Sequence, residues 1–320
     1  MDLTDYKVLV TGAAGFIGSH MVDKLLQRGA KVVGIDNLSV GKLEHLLFAM
    51  KNDGFEFVEG DIRDYDLIVS LLKDVDIIFH QAALASVDRS IEFPRETATV
   101  NINGTLNLLT AAKNTDVKRF VFASSSSVYG NTLELPKRET MQRCPISPYA
   151  VSKCVGEMYA EIYYPIYGLQ CVSLRYFNVY GPRQTVSEYS GVIPIWINRI
   201  LRDLPPLIHG DGLQTRDFTF VRDVVDANLL AAFTPNISNA TFNIGSGRNI
   251  SLLKVAKKLL KLFKKEYLEP KFIAPRPGDV KDSLADISKA KEVLGYQPKY
   301  NFDLGIKETF EWFVDQKGQI

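Results

Sequence analysis

Apolar residues gather in short runs along the first half of the chain, at Val8 to Val10, Val32 to Ile35, Phe55 to Val58, Asp76 to Phe79 and Phe120 to Ala123. Between them, Phe16 to Arg28 and Asn103 to Lys113 repeat apolar positions at helical intervals, and Ala150 to Ile166 can hold another long helix. Runs without polar alternation suit strands covered on both faces, and their alternation with helices predicts βαβ units in a parallel sheet. The expected fold class is α/β, a doubly wound parallel sheet. After about residue 180 the pattern breaks at GPRQ, DLPPL, HGDG and APRPGD, with helices expected near 190–202, 222–233, 251–265, 286–294 and 303–316. This divides the chain into a larger domain, 1–178, and a smaller α+β lobe, 179–320, with some elements interleaved. The lysines between Lys254 and Lys265 accompany apolar spacing at Leu252, Val255, Leu259 and Leu262, which reads as the solvated face of a helix.

Composition narrows the partner. The chain has 320 residues, 46% of them hydrophobic, enough for one large core or two unequal ones. Its 38 basic and 37 acidic residues leave a net charge of +1, so no long-range field draws it to nucleic acid or an anionic membrane. A small-molecule partner is expected. Cys144, Cys154 and Cys171 are odd in number and form no CxxC, which argues for ordinary reduced thiols. The start, MDLTDYKVLVTG, shows no basic stretch followed by an apolar core, and no segment reaches about 18 apolar residues. A soluble, cytoplasmic protein is expected.

The first run, KVLV, leads into Thr11-Gly12-Ala13-Ala14-Gly15-Phe16-Ile17-Gly18, a GxxGxxG turn at the start of a helix. Gly12 permits a tight turn, Gly15 lets backbone approach a pyrophosphate, and Gly18 lets helix and strand pack closely, while free N–H groups face the anion. Asp36 ends the second strand about 20 residues on, where a carboxylate can accept hydrogen bonds from an adenosine ribose. The same carboxylate repels a 2′-phosphate and no arginine immediately follows it, so NAD is favoured over NADP. Asp61 and Ile62, after the third strand, are candidates for the adenine edge.

Tyr149-Ala-Val-Ser-Lys153 sets a phenol and an ammonium on one face of the helix that begins just after Pro148. Bringing a phenol from a pKa near 10 to about 7 takes about 4 kcal/mol of preferential stabilisation of the phenolate. A lysine cation and a cationic nicotinamide ring can supply it together. The run Ala-Ser-Ser-Ser-Ser-Val-Tyr-Gly, immediately after the fifth strand, adds hydroxyls at the carboxyl edge of the sheet, where such folds bind ligands.

GxxGxxG, Asp36, His80-Gln-Ala-Ala83, Asn101-Ile-Asn-Gly104, Ser-Ser-Ser-Val-Tyr-Gly, YxxxK and Arg175-Tyr-Phe-Asn178-Val-Tyr-Gly181 together resemble the extended short-chain dehydrogenase/reductases, specifically the UDP-hexose 4-epimerases. The resemblance runs from Lys7 to about Phe313 and implies a Rossmann domain that holds NAD, a second lobe that grips UDP, and a homodimer built from paired helices. It makes Ser125 the catalytic serine, supported by Ser126, beside Tyr149 and Lys153. Implied cofactor contacts are Gly12, Ala14, Gly15, Phe16, Ile17, Gly18, Asp36, Asn37, Leu38, Ser39, Asp61, Ile62, Gln81, Ala82, Ala83, Asn101, Tyr149, Lys153 and Tyr176. On the substrate side Asn178 looks like the diphosphate contact, Val192 and Trp196 resemble the wall under uracil, and Arg216, Arg276 and Asp279 look like phosphate and ribose contacts. Leu207, Ile208 and His209 belong to the same implied site. Bidentate arginine suits phosphate and an aromatic suits a base, so the residue types agree.

The chemistry so implied starts as the Tyr149 phenolate takes the C4 hydroxyl proton, steadied by Ser125, while the C4 hydride passes to NAD⁺. A 4-keto sugar results, swings about its diphosphate and takes the hydride back on its other face. No metal is needed. A sugar 4,6-dehydratase would need an acidic pair where Ser126 and Ser127 stand. A UDP-glucuronate epimerase or decarboxylase tends to carry Thr in place of Asn178, and an NAD-sensing binding protein generally lacks the Tyr/Lys pair. The likeness also implies that the position of Ser283 limits the pocket beside the sugar C2, with Ala85, Ser86, Asn178, Gln184 and Gly191 completing the wall. Small residues there point to UDP-N-acetylglucosamine and UDP-N-acetylgalactosamine as substrates.

Overall fold

The computed structural model describes residues 1–186, 190–237, 239–275 and 280–317. The first half alternates β1 (Lys7–Thr11), α1 (Phe16–Gln27), β2 (Lys31–Asp36), β3 (Phe55–Glu59), α2 (Tyr65–Leu71) and β4 (Ile77–His80). It continues through α3 (Val87–Glu92), α4 (Pro94–Ala98), α5 (Gly104–Ala112), β5 (Arg119–Ser125), α6 (Pro148–Tyr167) and β6 (Cys171–Tyr176). The second half holds β7 (Val179–Tyr180), α7 (Val192–Leu201), β8 (Leu207–His209), β9 (Thr215–Arg216), β10 (Thr219–Phe220), α8 (Val221–Phe233) and β11 (Ala240–Ile244). It ends with β12 (Ile250–Ser251), α9 (Leu252–Leu262), β13 (Lys271–Ile273), α10 (Ser288–Leu294) and α11 (Phe302–Lys317).

Seven strands form one parallel sheet in the order β3-β2-β1-β4-β5-β6-β11. The chain reverses direction between β1 and β4, and the crevice at their carboxyl ends is where such sheets bind ligands. The five expected strands are all present. Their side chains supply two cores: Val8, Val10, Val32 and Phe79 face α1 and α8, whereas Leu9, Val33, Ile78 and Phe120 face α5 and α6. A third core, around Tyr180, Ile197, Phe220 and Leu259, belongs to the smaller lobe, which carries three two-stranded ladders.

The expected helix at 222–233 exists as α8, but its apolar face serves the core of the first domain. Val224, Val225, Ala227 and Ala231 pack into the same core as Met21 and Val22 of α1. After α8 the chain enters the sheet as β11, pairing Ala240 with Val172 and Ile244 with Tyr176. Residues 221–244 therefore cross back into the layers of the first domain. The physical reason is the β6 edge, an apolar parallel strand whose unpaired backbone groups must be covered.

α6 starts at a Ser147 cap, whose hydroxyl accepts from the Ala150 N–H at 3.2 Å, has Pro148 in its first turn, and ends on Gly168 in the left-handed conformation. It lies unusually close to β5: a Cβ on Gly156 would overlap the Phe122 ring. Gly156→Val should therefore destabilise the fold by about 1–3 kcal/mol despite the poor helix propensity of glycine. Urea unfolding measures this, and an unchanged midpoint would show that α6 can retreat from β5 without cost.

Candidate active site

The GxxGxxG turn forms as its spacing predicts. Gly12 has φ +67°, and a Cβ there would lie 2.8 Å from the Ala82 nitrogen. A Cβ on Gly18 would overlap the Gly12 carbonyl oxygen, so helix and turn could not meet. Above the turn opens a cleft of about 400 Å³ lined by Gly12, Gly15, Phe16, Ile17, Gly18, Asp36, Asn37, Ser39, Asp61, Ile62, Gln81, Ala82 and Ala83. Ala85, Ser86, Gln184 and Gly191 line it too, so residues expected for cofactor and for substrate share one continuous space.

Ala14 and Leu38 both adjoin the Asp36 side chain. Their backbone N–H groups donate to the Asp36 carboxylate at 3.0 and 2.8 Å, fixing its direction. Burial pushes the Asp36 pKa up while those N–H donors pull it down. Gly41, Arg63 and Arg89 are among the cleft residues that the sequence did not single out. Gly41 leaves room beside Asp36, where a Cβ would come within 2.8 Å of a carboxylate oxygen. Arg63 forks onto Asp61 at 2.9 and 2.7 Å, holding its carboxyl well below the usual range, and Arg89 closes the far wall beside Ser86. The DIR triplet, with opposite charges two residues apart on a turn, was the available signal for Arg63.

Beneath the cleft a buried relay stiffens the turn. Thr11 Oγ1 meets His80 Nδ1 at 2.8 Å, and His80 Nε2 meets Thr105 Oγ1 at 2.8 Å. Burial pushes the His80 pKa down to about 3, so the ring stays neutral. Asn101 sits in a π-helical turn, Thr99–Asn103, and its amide is spent inside the protein: it accepts from the Leu84 N–H at 2.8 Å and donates to Ser152 Oγ at 3.0 Å. Asn101 thus joins the cleft loop to α6. Tyr176 likewise bonds its neighbours, Gln81 at 3.1 Å and Asn228 at 2.9 Å.

On α6, Tyr149 and Lys153 are both buried, 9% and 4% exposed. Burial raises the Tyr149 pKa, and a hydrogen bond with Ser125 partly counters it. Burial drops Lys153 to about 7, and its Nζ donates to the Ala123 carbonyl at 2.8 Å. Ser125 also accepts from the Ser127 hydroxyl at 2.9 Å, within the 3₁₀ turn Ser126–Tyr129 that carries Ser126.

In the smaller lobe two expectations need correction. Trp196 is only 2% exposed and donates its indole N–H to the Leu207 carbonyl at 2.9 Å, so the ring is core and offers no face to uracil. It lies one turn after Val192, on the side of α7 that packs inward. Ile208 is also fully buried, in the β8 ladder with β13, leaving Leu207 and His209 as the half-buried members of that strand. Asn178 lies between β6 and β7, where its carbonyl accepts from the Thr219 N–H at 3.1 Å. Arg216 donates to the carbonyls of Thr215 at 2.8 Å and Lys281 at 3.2 Å. Ser283 is 9% exposed and bonds through its N–H to the Thr215 carbonyl. Arg276 and Asp279 lie outside the described residues. No described helix is long and apolar enough to cross a membrane.

The profile of the family described as GDP-mannose 4,6 dehydratase matches residues 9–309. The UDP-glucose 4-epimerase of Mycolicibacterium smegmatis is 43% identical over 96% of this chain and 98% of that protein. A structure of UDP-N-acetylglucosamine 4-epimerase from Methanobrevibacter ruminantium, in complex with UDP-N-acetylmuramic acid, matches at a TM-score of 0.93 and 39% identity, covering 99% of this chain and 100% of that one. The UDP-glucuronic acid 4-epimerase of Bacillus cereus, in complex with UDP-glucuronic acid and NAD, matches at 0.91 and 36%, covering 97% and 99%. The chain belongs to this family of nucleotide-sugar epimerases and dehydratases, the extended short-chain dehydrogenase/reductases.

The residues present fit NAD, the cofactor of this family: a glycine turn that no Cβ could share, free backbone at the start of α1, and a buried carboxylate at the end of β2. Asp36→Ala should relax the preference for NAD over NADP by at least about tenfold, because it removes the charge that repels a 2′-phosphate. Competition binding of the two dinucleotides to the variant measures the ratio; an unchanged preference would relocate the discriminating group.

Proposed function

We propose that this chain, an NAD-dependent UDP-sugar 4-epimerase, interconverts UDP-N-acetylglucosamine and UDP-N-acetylgalactosamine at least as well as the non-acetylated pair. The observation that carries the choice of sugar is the cleft wall. Ala85, Ser86 and Gly191 are small, and the Gln184 Oε1 that shares the cleft with them is buried with no hydrogen-bond partner among the described residues. An unpaired buried carbonyl is costly, and the N–H of an acetamido group is a donor of the right kind to satisfy it. Ser283, buried and small, is the position expected to limit the space beside the sugar C2.

In this reading Tyr149 takes the proton of the C4 hydroxyl, and Ser125, already hydrogen-bonded to it, steadies the transfer. Lys153, held to the Ala123 carbonyl, lends positive charge to the phenolate. When bound, NAD supplies the hydride acceptor for C4 and further positive charge beside the phenol. Asn178, at the end of the first domain, and Arg216 of the second lobe keep the UDP end in place, with Arg276 and Asp279 as further contacts, while the 4-keto sugar turns over. Tyr149 then returns its proton to the inverted oxygen. A 4,6-elimination has no acid available at the turn after β5, since Ser126 and Ser127 are hydroxyls and the Glu157 carboxylate behind it is fully engaged. The enzyme works as a cytoplasmic homodimer in this reading, the apolar stripe Val151, Met158, Ile162 and Ile166 along the exposed face of α6 supplying the paired surface.

Tyr149→Phe should abolish epimerisation and leave NAD bound, since only the ionisable oxygen is lost; activity above about a tenth of wild type would rule Tyr149 out as the base. Ser283→Tyr should fill the space beside C2 and cut turnover of the acetamido sugar at least about tenfold, or about 1.4 kcal/mol, while sparing UDP-glucose. Equal losses on both sugars, or none, would overturn Ser283 as the gate.

A further inference from the structure

Three residues of α6 on one face, Tyr149, Lys153 and Glu157, engage three consecutive residues of β5. Tyr149 bonds Ser125, Lys153 Nζ donates to the Ala123 carbonyl at 2.8 Å, and Glu157 accepts from the Ser124 hydroxyl at 2.5 Å. The Glu157 side chain is fully buried, yet both its oxygens are saturated. Oε1 also accepts from Arg175 Nε at 2.9 Å, and Oε2 accepts from Arg175 Nη2 at 2.8 Å and Arg143 Nε at 2.7 Å. Arg175 Nη1 in turn donates to the Tyr129 hydroxyl at 2.8 Å, which closes the serine turn. Burial alone would raise the Glu157 pKa; its donors, led by Arg175, outweigh burial and keep it ionised.

We propose that Glu157 is a positioning residue for the epimerase reaction: its carboxylate, shared between Ser124 and Arg175, fixes the rotation and depth of α6 on β5 so that Tyr149 meets Ser125. It also presents negative charge to Lys153 from one turn along the helix. An expensive buried carboxylate is a poor way to gain stability alone, whereas a fully bonded one specifies a single arrangement. The close approach at Gly156 fits the same purpose, because small shifts of α6 are then blocked by the Phe122 ring. The groups facing Lys153 are Glu157 and Tyr149 on its own helix, the Ala123 carbonyl and Phe122 ring from β5, and His80 from β4, which stays neutral. Removing the Glu157 charge therefore lowers the Lys153 pKa, and the buried Arg175 left behind acts in the same direction.

This inference rests on the epimerase reading, and its test separates the two. In Glu157→Gln, kcat on the UDP-sugar should fall at least about tenfold while KM and bound NAD change less than about twofold. The Lys153 titration, followed by NMR of lysine side-chain carbons and assigned by its absence in Lys153→Met, should move to lower pH. A folded Glu157→Gln protein with wild-type kcat, or with an unmoved lysine titration, overturns the proposal. Should that variant not fold, Ser124→Ala, which leaves the ion pair intact, should lower kcat about threefold to tenfold, and wild-type kcat there overturns it. A wild-type chain that converts no UDP-sugar refutes the epimerase reading instead, and the lysine titration still decides the role of Glu157.

Discussion

The need to cover the β6 edge organises this molecule. A parallel strand as apolar as Cys171–Tyr176 cannot end a sheet in water, so the chain returns from the smaller lobe to pair with it. That pairing sets Asn243 opposite Arg175. Asn243 then accepts from the Tyr129 hydroxyl at 2.6 Å and donates to the carbonyls of Lys137 and Asp286 at 2.8 and 3.2 Å. One strand thus joins the serine turn, the buried arginine and the segment that carries Ser283. The two lobes are not beads on a string; the serine turn and the segment that carries Ser283 are tied through β11.

The chemistry depends on the same economy of water. Burial acts on Tyr149 and Lys153 in opposite directions, raising the phenol and dropping the amine to about 7, so each resists its charged form when considered alone. Charge on the pair is sustained by neighbours: the Ser125 hydrogen bond, the Ala123 carbonyl and the Glu157 carboxylate. A site built this way responds strongly to a ligand that brings positive charge, because little solvent is present to screen it.

The cofactor end was legible because its determinants are local. A glycine turn, a strand before it and a carboxylate at the end of the next strand follow from spacing, and the same holds for the phenol and amine on one helix face. The substrate end was less legible. Val192 and Trp196 are neighbours on a helix, but only packing tells which side of α7 faces the core, and Trp196 faces it. Asn101 and Tyr176 carried recognisable motifs, whereas their bonds to Ser152, Leu84, Gln81 and Asn228 depend on residues from 17 to 95 positions away.

From the sequence alone came the alternation of strands and helices, the glycine turn, the carboxylate of Asp36 at the end of the second strand and the placing of Tyr149 and Lys153 on one helix face, because hydrophobic period and short-range spacing are properties of a few adjacent residues. The tertiary structure decided what spacing cannot: that α8 packs on the large sheet and β11 joins it, that Trp196 and Ile208 are core, and that Glu157 of α6 lies between Ser124 and Arg175. Each of those depends on which distant surfaces exclude water together, a quantity that no stretch of sequence contains until the chain has closed on itself.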